Sequence, residues 1–370
     1  MRILHLAYED KNQPGSGGGS VRTHEIGRRL AVRHDVTVVT AGWPGCEDRV
    51  EDGVRYVHAG HGRTRARSAG YFARIPTLLR RYEADLIVED FGAPISTIGV
   101  PRLTRTPVVG MVQWMFAAEM AAKYRLPFHL VERWGLRQHR RLIAVSEDLA
   151  AEIRRRRPDA DVRVVANGVD ASAFAVASDP ARFPEPTTPL VFLGRLDTAQ
   201  KGLDVLLDAM PSIPGRRLLI AGDGPDEARL RQAANRLGIA DRVGWLGRLS
   251  GPDKFSLLAG AALVVVPSRF ETFGIVAIEA AASGTPVIGS DIECLRDVIP
   301  AAVGTRVPPG DPSALSTAVN DALARPDLLA ALSVSARAFA RRFDWDALAD
   351  QQESLFVSIA SADDLTRSTP

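Results

Sequence analysis

At 370 residues the chain is long enough for two domains of roughly 150 residues, and 46% hydrophobic with 24% charged side chains is the balance of an ordinary globular protein. A formal net charge of +2 points to neither a nucleic-acid binder nor an acidic tail. Only two cysteines occur, Cys46 and Cys294, far apart and in no ligand spacing, so neither a disulfide framework nor a zinc site is expected and a reducing cytoplasm fits.

The first apolar run, residues 3–8, ends at Glu9-Asp10, too short for a signal peptide or a spanning helix, and reads as a first strand. Runs at 36–40, 86–88, 108–111, 142–145 and 162–165 then alternate with helical patterns, which implies βαβ units and a parallel sheet covered on both faces. A second series has strands at 190–193, 218–221, 243–246, 263–266 and 286–289, with helices at 203–210, 226–237, 252–259 and 275–282. Between the series, Pro180, Pro184, Pro186 and Pro189 interrupt every period, marking a linker. The expected organisation is a first α/β domain over 1–170, a linker over 171–189 and a second α/β domain over 190–345. A helix over 346–360 returns to brace the first domain, and 361–370 is a polar tail. Two doubly wound domains so joined would present the carboxyl ends of both sheets to one cleft, where ligands of open α/β sheets bind.

The stretch that organises the second half is 268–284, where Glu271 and Glu279 stand eight positions apart around Thr272-Phe273-Gly274. A strand leads in and an Ala-rich helix leads out, so the loop ends at a helix N-terminus whose unpaired N–H groups suit a phosphate or sugar hydroxyls. Two turns separate the carboxylates, which lets both face one crevice. Either Glu alone is ordinary, one near a helix start and one on a helix. Yet Glu279 is flanked by Ala277, Ile278, Ala280, Ala281 and Ala282, and a carboxylate in that setting needs a partner.

Upstream, Gly15-Ser16-Gly17-Gly18-Gly19-Ser20 precedes an amphipathic helix at 21–33, a place where backbone can approach a ligand closely. It is no dinucleotide fingerprint, because Ser20 replaces the third glycine and no acidic residue ends the second strand at Thr40. In the second series, Gly194-Arg195 and Lys201-Gly202 supply a planar fork and a compact charge, a suitable pair for a diphosphate. Lys is rare here, found only at positions 11, 123, 201 and 254, which favours a specified role for Lys201 over a solvated one. No P-loop pattern surrounds it. Gly222-Asp223-Gly224-Pro225 reads as a turn, and Trp245-Leu246-Gly247-Arg248 ends a strand with Trp245 as a core candidate.

Several features are weighed as structural. Asp159-Ala160-Asp161 and Asp344-Trp345-Asp346 match a metal-binding Asp-x-Asp, but neither follows a suitable strand, and Asp346 is placed to cap a helix. Arg154 to Arg157 suit a helix C-terminus, with anionic-membrane contact a remote alternative. His129 and His139, flanking a helix at 130–138, read as surface residues.

The joint order of the Gly-rich loop, Ala144-Val145-Ser146, Asn167-Gly168-Val169-Asp170, Gly194-Arg195, Lys201-Gly202, Gly222-Asp223-Gly224-Pro225 and Glu271 to Glu279, followed by Ser283-Gly284-Thr285-Pro286-Val287, resembles the retaining nucleotide-sugar glycosyltransferases of the GT-B fold, family 4 type. The resemblance covers nearly the whole chain. It implies that Arg195 and Lys201 hold the donor diphosphate, that Glu279 hydrogen-bonds the nucleotide ribose, and that Glu271 reaches hydroxyls of the donor sugar. It also implies that Gly194 and the backbone of Phe273, Gly274 and Ile275 line the sugar and phosphates, that Gly18 and Gly19 close the phosphate side, and that Arg248 faces the base. One departure stands out: the family commonly has a His after the strand at 108–111, and this chain has Gln113-Trp114, which bonds a hydroxyl but cannot titrate.

The expected activity is transfer of a sugar from a nucleoside-diphosphate sugar, the co-substrate, to an acceptor with retention, with no cofactor and no metal. A sugar-nucleotide epimerase or hydrolase on the same scaffold, or a non-catalytic sugar-nucleotide binder, is the alternative. No carboxylate presents itself for a covalent intermediate, so front-face transfer is the implied route. The base, the sugar and the acceptor are not named by the sequence, and no nucleic-acid partner or integral membrane segment is expected. Acceptor contacts are expected at 17–22, 63–71 and 113–120, with Gln113, Trp114, Met115 and Phe116 as a candidate wall.

Overall fold

A computed structural model describes residues 1–14, 16–60, 64–91, 99–115, 127–176, 179–183 and 185–367. The chain divides into two compact units, Met1–Asn167 together with Trp345–Pro370, and Gly168–Asp344. Both are open, twisted parallel sheets flanked by helices.

In the first unit the strands are β1 (Arg2–Leu6), β2 (Asp35–Ala41), β3 (Arg49–Glu51), β4 (Val54–Ala59), β5 (Leu86–Phe91), β6 (Val108–Val112), β7 (Arg141–Ala144) and β8 (Asp161–Val164). Their spatial order is β3-β4-β2-β1-β5-β6-β7-β8. Every pairing is parallel except β3 with β4. That hairpin was not anticipated from the sequence. Its turn is Asp52-Gly53, both at positive φ (50° and 80°), the pairing a tight two-residue hairpin turn demands. Strands buried on both faces explain the near-continuous Val/Ile/Leu runs, and Leu4, Leu6, Val39 and Ile87 form the centre of one core cluster.

This unit also buries charge. Asp10 has no exposed surface and accepts from Arg49 at 2.8 and 2.9 Å, with His58 Nε2 at 3.2 Å. Burial alone would raise its carboxyl, but the hydrogen bonds to His58 and Arg49 outweigh it and hold the group well below the usual carboxylate range. His139, expected on the surface, is fully buried instead and pairs with Glu89 at 2.8 Å. It follows the helix Phe128–Gln138 and turns inward where β7 begins, a direction that helix periodicity cannot report. His129 is exposed.

The helix Trp345–Arg367 starts and ends beyond the expected 346–360, because nothing in 361–367 breaks a helix. It packs on the helix Gly18–Leu30, and in the turn just past that helix Arg33 reaches Asp350 at 3.0 Å and His34 reaches Glu353 at 2.7 Å. Asp346 does not take the capping position expected of it; it lies within the first turn and pairs with Arg29. The other Asp-x-Asp is likewise spoken for, Asp159 by Arg157 and Asp161 by Arg163. Arg154 and Arg156 pair with Glu147 and Glu132.

The second unit has β9 (Leu190–Leu193), β10 (Leu218–Ala221), β11 (Val243–Gly247), β12 (Leu263–Val266), β13 (Val287–Ser290) and β14 (Gly304–Val307), all parallel in the order β11-β10-β9-β12-β13-β14. β14 and the helices Pro312–Leu323 and Pro326–Ala340 were not assigned from the sequence. Residues 171–189, expected as a linker, largely belong to this unit. Asp170 caps the helix Ala171–Ala175, Arg337 donates to the carbonyls of Phe174 and Val176 at 2.5 and 3.0 Å, and Phe183 is buried in the core. Proline breaks the period there, but an aromatic anchor and an arginine tie the segment down. Among the described residues no helix is long and apolar enough to cross a membrane.

Candidate active site

In an open α/β sheet the strand order reverses at one point, and the loops diverging there leave a crevice at the carboxyl ends. In the second unit that point lies between β9 and β12, neighbours in space but separated in sequence by two strands, β10 and β11. Gly194, Arg195 and Lys201 follow β9, and Glu271 follows β12.

The two loops are fastened to each other by backbone. Gln200 O accepts from Arg269 N at 2.9 Å and Phe270 N at 3.2 Å, and Thr198 O accepts from the Arg269 guanidinium at 2.7 Å. Arg269 is held in turn by both oxygens of Asp204, at 2.7 and 2.8 Å. Gly202 is required by this approach: it sits at φ 63°, and a Cβ there would run into the carbonyl oxygen of Pro267. The short helix Thr198–Lys201 is capped by Asp197, and Asp226 Oδ2 accepts from both Thr198 N and Thr198 Oγ1 at 2.7 Å. Those two hydrogen bonds hold the Asp226 carboxyl below its ordinary value of 3.8.

The consequence is a pairing that sequence spacing did not show. Lys201 Nζ donates to Glu271 Oε1, which also accepts from Ser268 Oγ at 3.2 Å. An ammonium has three donors, so two remain for a phosphate, and the second Glu271 oxygen remains for a hydroxyl. Gly194 N is tied to Ala221 O at 3.0 Å, and a Cβ on Gly194 would lie 4.0 Å from Lys201 Cδ, so the Gly194-Arg195 turn borders the lysine stem. Arg195 is exposed and makes no ion pair among the described residues.

Phe273 turns into the core, 2% exposed and edge-on to Phe343 with ring centroids 6.0 Å apart, so only its backbone is offered to a ligand. Gly274 then takes the left-handed conformation (φ 87°, ψ 42°) that starts the helix Ile275–Ala282, against Leu295 and Val298, where a Cβ would come within 2.6 and 3.0 Å. First-turn N–H groups of that helix are the anion-favouring end. Glu279 is 8% exposed and has a partner: Lys254 Nζ at 2.6 Å, from the helix Gly251–Ala259. Lys254 was missed in the sequence, although its rarity gave the same signal as Lys201. Arg248 is exposed just past Gly247, whose carbonyl accepts from Gly222 N at 2.7 Å. Trp245 is half-buried against the core, with the Arg231 guanidinium 4.7 Å above its ring.

In the first unit, Gly18 and Gly19 form the opening turn of the helix Gly18–Leu30, three residues earlier than expected, with Gly17 as N-cap and its N–H held by Glu9 at 3.1 Å. A Cβ on Gly19 would lie 3.6 Å from the Gln113 amide carbon, so the helix start and the end of β6 are in contact. Gln113 Nε2 is buried and has no hydrogen-bond partner among the described residues. Trp114 and Met115 are half-buried. Two of the expected acceptor positions are occupied by core. Arg22 is 1% exposed, donates to Val165 O at 3.1 Å and Gln352 at 2.8 Å, and has its pKa pushed down to about 10 by burial; Tyr71 is 1% exposed. Gly15, residues 61–63 and residues 116–120 lie outside the described residues. His24, Glu51 and Asp52 also converge, around Lys11, whose Nζ lies 2.7 Å from Glu51 and 2.9 Å from His24.

Two family models match in tandem: Glycosyltransferase Family 4 over residues 16–173 and Glycosyl transferases group 1 over residues 177–339. The chain belongs to the family 4 glycosyltransferases. Among curated relatives of this glycosyltransferase, the phosphatidyl-myo-inositol mannosyltransferase of Mycobacterium leprae is 37% identical over 227 residues, 60% of this chain and 59% of that protein. The match thus spans under two thirds of the mannosyltransferase. Glycogen synthase of Mycobacterium tuberculosis is 29% identical over 405 residues, 97% of this chain and 95% of the relative. Among solved structures, sucrose-phosphate synthase of Thermosynechococcus elongatus superposes with a TM-score of 0.82 at 23% identity, covering 98% of this chain and 99% of its own. The HepE protein of Anabaena, in complex with UDP and glucose, gives 0.75 at 20% identity, covering 97% and 100%. The fold is GT-B.

Proposed function

We propose that this glycosyltransferase moves a hexosyl group from a nucleoside-diphosphate sugar to an acceptor, with retention of anomeric configuration and without a metal ion. The observation that carries the reading is the Lys201–Glu271 pair at the β9/β12 switch point, followed within eight residues by a Gly-started helix and the buried Glu279. Relatives and neighbours support the donor class: a mannosyltransferase, a glycogen synthase, and a structure holding UDP and glucose.

Lys201, Arg195 and the N–H groups before Ile275 take the diphosphate, Glu271 takes sugar hydroxyls, and Glu279 takes the ribose. As the bond from the anomeric carbon to the diphosphate oxygen breaks, negative charge grows on the leaving group. Fixed donors aimed at that charge are commonly worth ~3 to 4 kcal/mol each. Two cations and a helix start already answer that charge, which is the support for metal independence. The acceptor oxygen bonds to the same face of the sugar, and its proton passes to the departing phosphate oxygen, so no imidazole is needed where Gln113 stands.

Incubation with UDP-, GDP- and ADP-sugars, with and without an acceptor panel of sugars, inositol-type polyols and lipid-linked glycans, tests this. Release of nucleoside diphosphate that depends on acceptor, with an α-linked product from an α-linked donor by NMR, is the expected result. Full-rate release from donor alone would instead mark a hydrolase or epimerase.

A further inference from the structure

We infer that Lys254 is the positioning residue of the nucleotide site: it holds the buried Glu279 carboxylate in place and thereby makes the site select ribonucleotides over deoxyribonucleotides. This rests on the reading of Glu279 as the ribose contact, and extends it to a residue on a different helix that no motif includes.

The helix carrying Glu279 has no solvent face. Ala277, Ile278, Ala280, Ala281 and Ala282 are all fully buried around it. An ionised carboxylate in such a wall is costly unless it is paired and hydrogen-bonded. Lys254 is the partner, with Nζ 2.6 Å from Glu279 Oε1 and 4.5 Å from the centre of the Phe255 ring. Phe255 is itself 2% exposed, so the ammonium is held between a core aromatic face and the carboxylate. Its stem rises from the first turn of the helix Gly251–Ala259, directly after the loop that carries Arg248. The loop expected to face the base and the residue expected to hold the ribose are therefore joined through one ion pair.

A carboxylate offers about four acceptor positions, and Lys254 uses one on Oε1. Oε2 makes no hydrogen bond among the described residues. About three positions remain, and the two on Oε2 match the number a vicinal diol takes. Without Lys254 the same carboxylate would lose both its fixed rotamer and the charge that makes its burial tolerable. A deoxyribose leaves one of the two positions unfilled, and a missing hydrogen bond to a charged group lowers affinity by roughly ten- to a hundred-fold.

The test is calorimetric titration of the full chain with UDP, GDP and ADP, and with the 2′-deoxy and 3′-deoxy form of whichever binds. Wild type, Lys254→Met and Glu279→Gln are compared, with thermal unfolding of each recorded without ligand. Wild type is expected to prefer the ribonucleotide by roughly ten-fold or more, and Lys254→Met, less stable but still folded at the titration temperature, to reduce that preference to within about three-fold, as does Glu279→Gln. A general loss of structure would weaken ribo and deoxy forms alike, so the ratio separates positioning from folding. Should Lys254→Met not fold, Lys254→Gln keeps a donor of similar reach without the charge and reads the same ratio. A wild-type ratio in the folded variant, alongside a lost ratio in Glu279→Gln, overturns the role of Lys254 and leaves the proposed function standing. Wild type that binds no nucleoside diphosphate, or binds ribo and deoxy forms equally, overturns the Glu279 reading and this one with it.

Discussion

Two glutamate–lysine pairs stand eight residues apart, and they are built differently. In Lys201–Glu271 the side chains are 18% and 10% exposed, and in Lys254–Glu279 they are 21% and 11% exposed, so solvent access does not distinguish them. The scaffold does. The first pair spans two loops, pinned by main-chain hydrogen bonds from Arg269 and Phe270 to Gln200 and by the contact that Gly202 permits. The second spans two helices and is fixed by a cation over a core ring. Loops at a switch point converge on a reacting group from several directions, whereas helices give a contact that need not change during the reaction. In the proposed mechanism the pair meeting the growing charge is on the former, and the pair assigned to the unreactive ribose is on the latter.

That contrast can be broken by substitution. On the proposed mechanism Lys201→Ala removes a donor used most in the transition state, so kcat should fall by roughly a hundred- to a thousand-fold while the unfolding temperature stays near wild type. Turnover within a few-fold of wild type would remove Lys201 from the leaving-group site. Gly202→Ala strikes the scaffold of the same pair; a left-handed Ala forced against a carbonyl should cost about 2 to 4 kcal/mol in denaturant unfolding, with a matching loss of turnover. Glu279→Gln should act on the donor KM instead, raising it about ten-fold with kcat within roughly three-fold, since a ribose contact is equal in ground and transition states.

The smallest effect concerns Asp226, whose carboxyl is held below 3.8 by the Thr198 N–H and hydroxyl. A depressed carboxyl stabilises the fold above its unfolded value and loses that contribution as pH falls through the folded one. Asp226→Asn should therefore be slightly less stable than wild type at neutral pH, with the gap closing below pH 3.8 in unfolding curves, and ribose preference untouched.

The parallel strands were legible because burial on both faces writes them as short Val/Ile/Leu runs, and the helix Ile275–Ala282 lies where its Ala-rich pattern indicated. The Asp52-Gly53 hairpin was not read, although a turn pair stands there with Val54 and Tyr56 alternating behind it, because its strand β3 is only three residues long. β14, read as Gly-Thr-Arg-Val at a sheet edge, carries no apolar run at all. Within the candidate site, motif order singles out Lys201 and both glutamates. Their pairing was not legible, because it depends on how two loops far apart in sequence are pinned. Lys254 belongs to no motif, yet the three described lysines, at 11, 201 and 254, each pair with a glutamate, in a chain whose cationic side chains are nearly all arginines. His139 shows the opposite failure: a residue beyond a helix end looked solvated and proved to be buried against Glu89.

The most direct measurement is thermal unfolding of the full chain with UDP, GDP and ADP, for wild type, Lys201→Ala and Glu279→Gln. If the switch point of the second sheet holds the donor, at least one nucleoside diphosphate at a hundred times its dissociation constant adds ~2.7 kcal/mol to wild-type stability, and each substitution sharply reduces the gain at the same concentration. No stabilisation by any of the three, or the full gain surviving both substitutions, would contradict it.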